Sequence, residues 1–254
     1  MKKTERSKPS AGRTSRASYR RHPMSLVQRI AVTASAVITF AILAALLAYI
    51  LIMGVPNLKP GLFAWHYTSD NCSMTPAIIN TLLMVVLSLL LSVPFGIGAA
   101  IYLVEYAKRG NKLVKVVRLT AETLSGIPSI VYGLFGYLMF VIALNMDKSM
   151  LAGALTLAIM VLPTILRTTE EALKAVPDSF REGSFGLGAG KLRTVFRIVL
   201  PSAVPGIFSG IILAIGRIVG ETAALIFTAG TFSGVAGGVM ESGRTLAVDR
   251  KSVV

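Results

Sequence analysis

Residues 177–201 read PDSFREGSFGLGAGKLRTVFRIVLP, a polar and basic stretch set between two long apolar runs. Pro177 ends one helical piece, because the residue before a proline is pushed out of the helical region. Ser179 and Glu182 fit a capping box, S-x-x-E, that opens a new helix. Gly186, Gly188 and Gly190 supply a turn. Lys191–Val199 then reads as a second short helix with Leu192, Val195, Phe196 and Val199 on one face, stopped by Pro201. Such an element is too short and too charged to span a bilayer. Its apolar stripe suits docking onto a partner, as a helix fits a groove. GLGAGK looks like a phosphate loop, but that pattern requires glycine at Phe185 and Ser or Thr at Leu192. Both fail, so any ATP that drives this chain is bound by another chain.

The runs on either side set the class. The 254 residues are 54% hydrophobic and only 15% charged, with a mean hydropathy of +0.69. Soluble domains carry about 25% charged residues, so an integral membrane protein is expected. A helix needs about 20 apolar residues to cross the hydrocarbon core. Five segments meet or approach that: Ile30–Met53, Ala77–Val104, Leu119–Leu144, Leu151–Leu166 and Ala203–Ala229. The fourth is short and contains Pro163, and Pro128 bends the third. The lack of long aqueous insertions leaves one membrane domain.

The net charge of +14 is a topology signal rather than a nucleic-acid footprint. Of the 26 Lys and Arg, nine lie in residues 1–29, five in 105–118 and six in 167–201. The intervening loops 54–76 and 145–150 hold one each, Lys59 and Lys148. By the positive-inside rule the N-terminus and the two rich loops are cytoplasmic. The tail of residues 1–24 shares the composition of a transit peptide, but the alternating loops already account for its charge. The lone cysteine, Cys72, has no disulfide partner within the chain, and His22 and His66 have no metal-ligand spacing. No nucleophile–base pair stands out, so no enzymatic activity is expected.

One charged pair sits where only apolar residues are expected: Arg217 and Glu221 in AIGRIVGETAAL, residues 214–225. An arginine at the bilayer centre costs about 2.5–3.5 kcal/mol on insertion scales, so it faces a bundle interior or an aqueous path. On one continuous helix the two residues are i, i+4 and share a face. They form either a buried ion pair that locks two helices, or an anion site in which Glu221 holds and moderates a guanidinium whose fork suits phosphate-like oxygens. Arg167, after the fourth span, is either a snorkelling anchor or a second arginine on that path. Gly206-x-x-x-Gly210 and Gly216-x-x-x-Gly220 permit close helix packing. Glu122 reads as a cap or interface residue.

Two motifs carry a specific resemblance. Residues 182–201 resemble the EAA loop of ABC-importer permeases, whose pattern is E-A-A, three residues, G, nine residues, I-x-L-P. Glu182, Gly183 and Ser184 stand for E-A-A, Gly188 is the glycine, and Ile198, Leu200 and Pro201 close the pattern. The two alanines are replaced by other small residues, and the spacing is kept. The stretches SGIPSIVYGLFG (125–136), R-x-x-G-E-T-A with F-T-A-G, and SGRTLAV (242–248) resemble the PstA family of phosphate-specific permeases over roughly residues 25–248. The resemblance implies an all-α, polytopic helical bundle of the type I ABC importer (MetI-like) kind in a bacterial or archaeal cytoplasmic membrane. It implies import of inorganic phosphate by alternating access, with a PstC-like sister permease, a PstB-like ATPase dimer and a periplasmic or lipid-anchored phosphate-binding protein. ATP and Mg then sit on the partner subunits, and this chain binds no cofactor. Arg217, Glu221 and Arg167 match family positions on the phosphate path, and the loop of about residues 170–201 couples to the ATPase. Rivals are a permease for sulfate or molybdate, an ATP-independent channel or secondary transporter, and a structural or sensory subunit. The family also implies a sixth span after residue 248. Residues 249–254, DRKSVV, back-translate readily as a sequencing-adapter stretch, and so are expected to be a non-native tail that replaces it.

Overall fold

The computed structural model describes residues 23–249 apart from 59, 66, 69–70, 72 and 109. The expectations placed on His22, Lys59, His66, Cys72, residues 250–254 and nearly all of the basic tail lie outside the described residues. Those described form helices and connecting turns, with no strand among them. They divide into two units, one ending at Lys59 and the other beginning at Pro60.

The first unit holds α1 (Pro23–Gly54), which covers the expected first span. Every described side chain of α1 is exposed, including the apolar ones, so this surface requires lipid or protein around it. Two of its hydroxyls are satisfied within the helix, as suits hydrocarbon: Ser35 Oγ donates to the Val32 carbonyl and Thr39 Oγ1 to that of Ser35.

The second unit is organised around α5 (Met150–Ala175), packed chiefly against α2 (Thr75–Ile101) and α8 (Leu200–Gly220). Met150, Leu157, Met160, Val161, Ile165 and Leu173 of α5 are all buried. Small residues set the spacing. A Cβ on Gly96 would lie 3.1 Å from Ile165 Cβ, one on Gly206 2.6 Å from Ala172 Cβ, and one on Gly210 2.7 Å from Thr168 Cβ. So the first expected glycine pair packs and the second does not: Gly216 and Gly220 have open space where a Cβ would stand.

Several expected boundaries are corrected. The fourth span does not stop at Leu166; α5 continues to Ala175, with Pro163 inside it, as membrane helices tolerate an interior proline. The third span is two helices, α3 (Lys112–Ser125) and α4 (Ser129–Gly136), bent by 103°, with α4 prolonged by a π-helical stretch, Tyr137–Ala143. The break falls at the Gly126–Pro128 corner. Upstream of it, α3 alternates apolar residues with Lys112, Lys115, Arg118 and Glu122, a pattern for a surface rather than a span. The fifth span breaks at Glu221, where ψ turns to +124°, and resumes as the short α9 (Ala223–Thr228).

The stretch that opened the sequence analysis forms α6 (Asp178–Gly186) and α7 (Lys191–Thr194). Ser179 does not cap α6, which begins two residues earlier than that cap would place it, with Pro177 in the cap position and no side-chain cap. Pro201 does not stop the second helix either. Lys191–Gly220 is one run, in which a π-helical turn, Val195–Val199, precedes the proline. Such wider turns absorb the clash and the missing donor that proline brings.

Residues 229–249 are irregular and are nailed to the bundle by Asn80. Its amide donates to the carbonyls of Gly234 (3.0 Å) and Arg244 (3.1 Å), and its oxygen accepts from the Ala236 N–H (3.1 Å). The same region, with the last residue of α9, caps α5, whose first N–H groups have no partner inside the helix. Ser149 N–H donates to Thr228 O, Met150 to Glu241 O and Leu151 to Val239 O. Asp249, first residue of the expected tail, is buried and pairs with Arg244 at 2.8 Å.

Candidate functional site

The coupling-loop candidates fall into an outer and an inner face. Glu182 and Gly183 are exposed, and a methyl on Gly183 would meet nothing within 4 Å, so the departure from alanine is sterically neutral. Ser184 is buried, with its hydroxyl 2.8 Å from that of Thr194, which ties α6 to α7. Gly188 has φ +79°. Its N–H donates to Phe185 O and the Ala189 N–H to Ser184 O, the Schellman closure of a helix whose C′ residue is left-handed. That geometry, rather than proximity to a ligand, is why this position requires glycine. Ile198 and Leu200 are half-buried and Pro201 is exposed. Phe180, Phe185, Leu187, Leu192 and Phe196 leave large apolar surface uncovered, Leu187 being 91% exposed.

The three path candidates are not brought together as one ion-paired cluster. Glu221 is buried, and its Oε1 accepts from the Ala224 N–H at 3.1 Å, so it stabilises the start of α9. The helix break removes the i, i+4 relation that placed Arg217 and Glu221 on one face. Among the described residues Arg217 makes no ion pair or side-chain hydrogen bond. It is half-buried near the end of α8, within electrostatic reach of Tyr132. The Tyr132 hydroxyl donates to the Leu124 carbonyl at 2.8 Å across the α3–α4 corner. The next residue, Gly133, packs so closely on α9 that a Cβ there would sit 2.7 Å from Ala224 Cα. Both broken helices therefore meet beside Arg217. Arg167 lies elsewhere, exposed on α5 and paired with Glu171 at 3.3 Å. It borders a cavity of about 440 Å³ that also takes in Arg118, Glu122, Glu170, Glu171 and Lys174. In it Glu170 Oε1 is bracketed by Arg118 Nη2 at 2.7 Å and Lys174 Nζ at 2.5 Å. No group of three or more His, Cys, Asp or Glu side chains suited to a metal occurs among the described residues.

Sequence reasoning missed Arg181 and Glu105. Arg181 counted as one of six loop cations, yet its side chain is only 15% exposed and that of Glu105 only 9%. Nε and Nη2 of Arg181 both donate to Glu105 Oε1, at 3.1 and 2.7 Å. The signal available was its place directly before Glu182.

The comparisons with known proteins agree with this architecture. Residues 92–241 match the family described as binding-protein-dependent transport system inner membrane component. A Bacillus subtilis protein named as the probable ABC transporter permease YqgI is 38% identical over 200 residues, 77% of this chain and 67% of that protein. The Mycobacterium tuberculosis phosphate transport system permease protein PstA 1 is 42% identical over 61% of this chain and 50% of its own length. The Yersinia pestis PstA is 40% identical over 69% of this chain and 60% of its own. The chain thus spans about half to two thirds of the length of these relatives. With apolar helices long enough to cross a membrane, and with bacterial homologues of this kind, it is a multi-pass inner-membrane protein. It belongs to the binding-protein-dependent transport system inner membrane component family, and within it is homologous to the PstA-type and other ABC permeases.

Proposed function

We propose that this chain is a permease subunit of an ATP-driven importer that moves inorganic phosphate across the cytoplasmic membrane. The observation that carries the reading is the state of Arg217. Its guanidinium sits half-buried where two broken helices meet, while the nearest expected counter-charge, Glu221, is engaged by backbone. A forked donor with no carboxylate on it is matched to an oxyanion. Discontinuous helices of this sort line substrate sites in transporters. Arg167 belongs to the same path at a different depth. Gly210 packs on Thr168, so Arg217, seven residues farther along α8, lies about 10 Å beyond Arg167's level. The anion passes from Arg217 toward the cavity beside Arg167.

The N-terminus and the coupling loop face the cytoplasm in this reading. The exposed apolar residues of α6 and α7, with Glu182 and Gly183, dock on an ATPase dimer that holds ATP and Mg. A PstC-like permease completes the pathway and an external binding protein delivers phosphate. Alternating access follows when the docked loop moves α2, α5 and α8. The test is radiolabelled phosphate uptake by the complete complex in cells lacking their own importer, for wild type and Arg217→Gln, with assembly checked in both. Uptake that falls at least 10-fold in an assembled variant supports the reading. Equal uptake makes Arg217 a packing residue. Transport of sulfate or molybdate instead of phosphate removes the substrate and keeps the ABC mechanism. Uptake without the ATPase subunits removes the mechanism.

A further inference from the structure

Arg181 is the most heavily bonded side chain of the coupling loop. Besides its two bonds to Glu105, Nη2 donates to the Leu173 carbonyl at 2.9 Å, Nη1 to the Val176 carbonyl at 2.8 Å and to Asp178 Oδ1 at 3.2 Å. Leu173 lies in the last turn of α5 and Val176 just past it, where carbonyls have no helical partner. Glu105 lies in the π-helical turn Tyr102–Tyr106 that prolongs α2. One planar fork thus closes the end of α5, grips the end of α2 and stands in the first turn and a half of α6. A second contact reaches the same turn of α2: Lys191 Nζ, at the start of α7, lies 5.1 Å from the centre of the Tyr106 ring. Both arms of the loop are bolted to neighbouring residues of α2, while Glu182, Gly183 and Leu187 face outward.

From this we infer that Arg181, with Glu105, is the joint that converts displacement of the docked coupling loop into movement of α2 and α5 together. The inference rests on the transport reading above. Arg181 is a positioning residue; it touches neither phosphate nor ATP. Lysine cannot replace it, since an ammonium is a point charge without the fork that reaches two carboxylates and two carbonyls at once. Without the joint, the loop still offers its outer face to the ATPase and its motion still reaches α8 through the continuous Lys191–Gly220 run, but α2 and α5 are no longer driven together.

The experiment uses the complete complex, with its sister permease, ATPase and binding protein, in proteoliposomes. Arg181→Lys, Glu105→Gln and the double variant are compared with wild type for ATP hydrolysis, its stimulation by loaded binding protein, and phosphate uptake. Co-purification of the ATPase reports assembly. The expected result is hydrolysis within about twofold of wild type, uptake per ATP reduced about 10-fold, and stimulation falling toward one. The double variant is no worse than either single variant, as for residues that act as one unit. Uptake and hydrolysis that fall by the same factor, effects that add, or variants that match wild type overturn the joint. If Arg181→Lys fails to assemble, the near-isosteric Glu105→Gln decides; loss of assembly in both makes the pair purely structural and also overturns it. A wild-type complex that moves no phosphate overturns the substrate reading instead, and the stimulation ratio still decides the joint.

Discussion

Alanine at Gly210 tests how tightly α8 lies on α5. The new Cβ would stand 2.7 Å from Thr168 Cβ, an atom fixed to the α5 backbone, so a rotamer change cannot clear it. Carbon atoms rest at about 3.5–4.0 Å, so the helices must separate locally by about 1 Å. Overpacking of this size costs about 1–3 kcal/mol, partly offset by the better helix propensity of alanine, at most about 1 kcal/mol. Gly206→Ala meets Ala172 Cβ at 2.6 Å, one turn away on the same interface. Once the helices are apart for one methyl, the second costs less, so the double variant loses less than the sum. Gly216→Ala is the control: its Cβ meets nothing within 4 Å. Alanine there leaves the subunit unchanged or raises its stability by up to about 1 kcal/mol. The assay is reversible unfolding of the purified subunit in mixed micelles with increasing denaturing detergent. A Gly210→Ala midpoint equal to wild type, or a Gly216→Ala loss as large as that of Gly210→Ala, refutes the packing argument.

Other perturbations read separate parts of the molecule. Asn80→Leu leaves the buried Ala236 N–H without its partner, at about 1–3 kcal/mol, and strips two half-buried carbonyls of theirs at a smaller cost. Hydrogen exchange is expected to speed up across residues 229–249 while the middle of α5 stays protected. Gly188→Ala forces a left-handed conformation on a residue with Cβ, at about 1–2 kcal/mol, and Gly188→Asn costs less; thermal unfolding of the complex ranks them. Ser184→Ala costs about 1 kcal/mol or less, because the Thr194 hydroxyl keeps its bond to Gly190 O at 3.2 Å. The same thermal assay checks that this variant is the mildest of the three.

Periodicity and charge made the helical membrane class legible, because the bilayer imposes length and polarity on every span. The same reasoning overlooked breaks that depend on tertiary contacts. Leu119–Leu144 passes as a span by composition, but Arg118 at its edge pairs with Glu170, and the chain turns at Gly126–Pro128 to let α4 meet α9. Arg217 and Glu221 share a face on an unbroken helix; the carboxylate instead serves the N–H of Ala224, a demand that arises only after the helix has broken. The glycine turn of residues 186–190 was legible, since Gly188 at φ +79° closes α6, but the helix ends were not: α6 starts without the Ser179 cap and the second helix runs through Pro201. Arg181 escaped notice because its partners Glu105 and Leu173 are distant in sequence, and a basic residue in a basic loop carries no local sign of burial.

The anchoring of Asn80 places a constraint on the order of events at the ribosome. Its partner Gly234 follows it by 154 residues, and synthesis proceeds at about 5–20 residues/s. For roughly 8–30 s after Asn80 is made, its buried carboxamide has none of its three final partners. The start of α5 waits in the same way for residues 239–241. The making of α2 and the completion of its polar contacts are therefore separate in time.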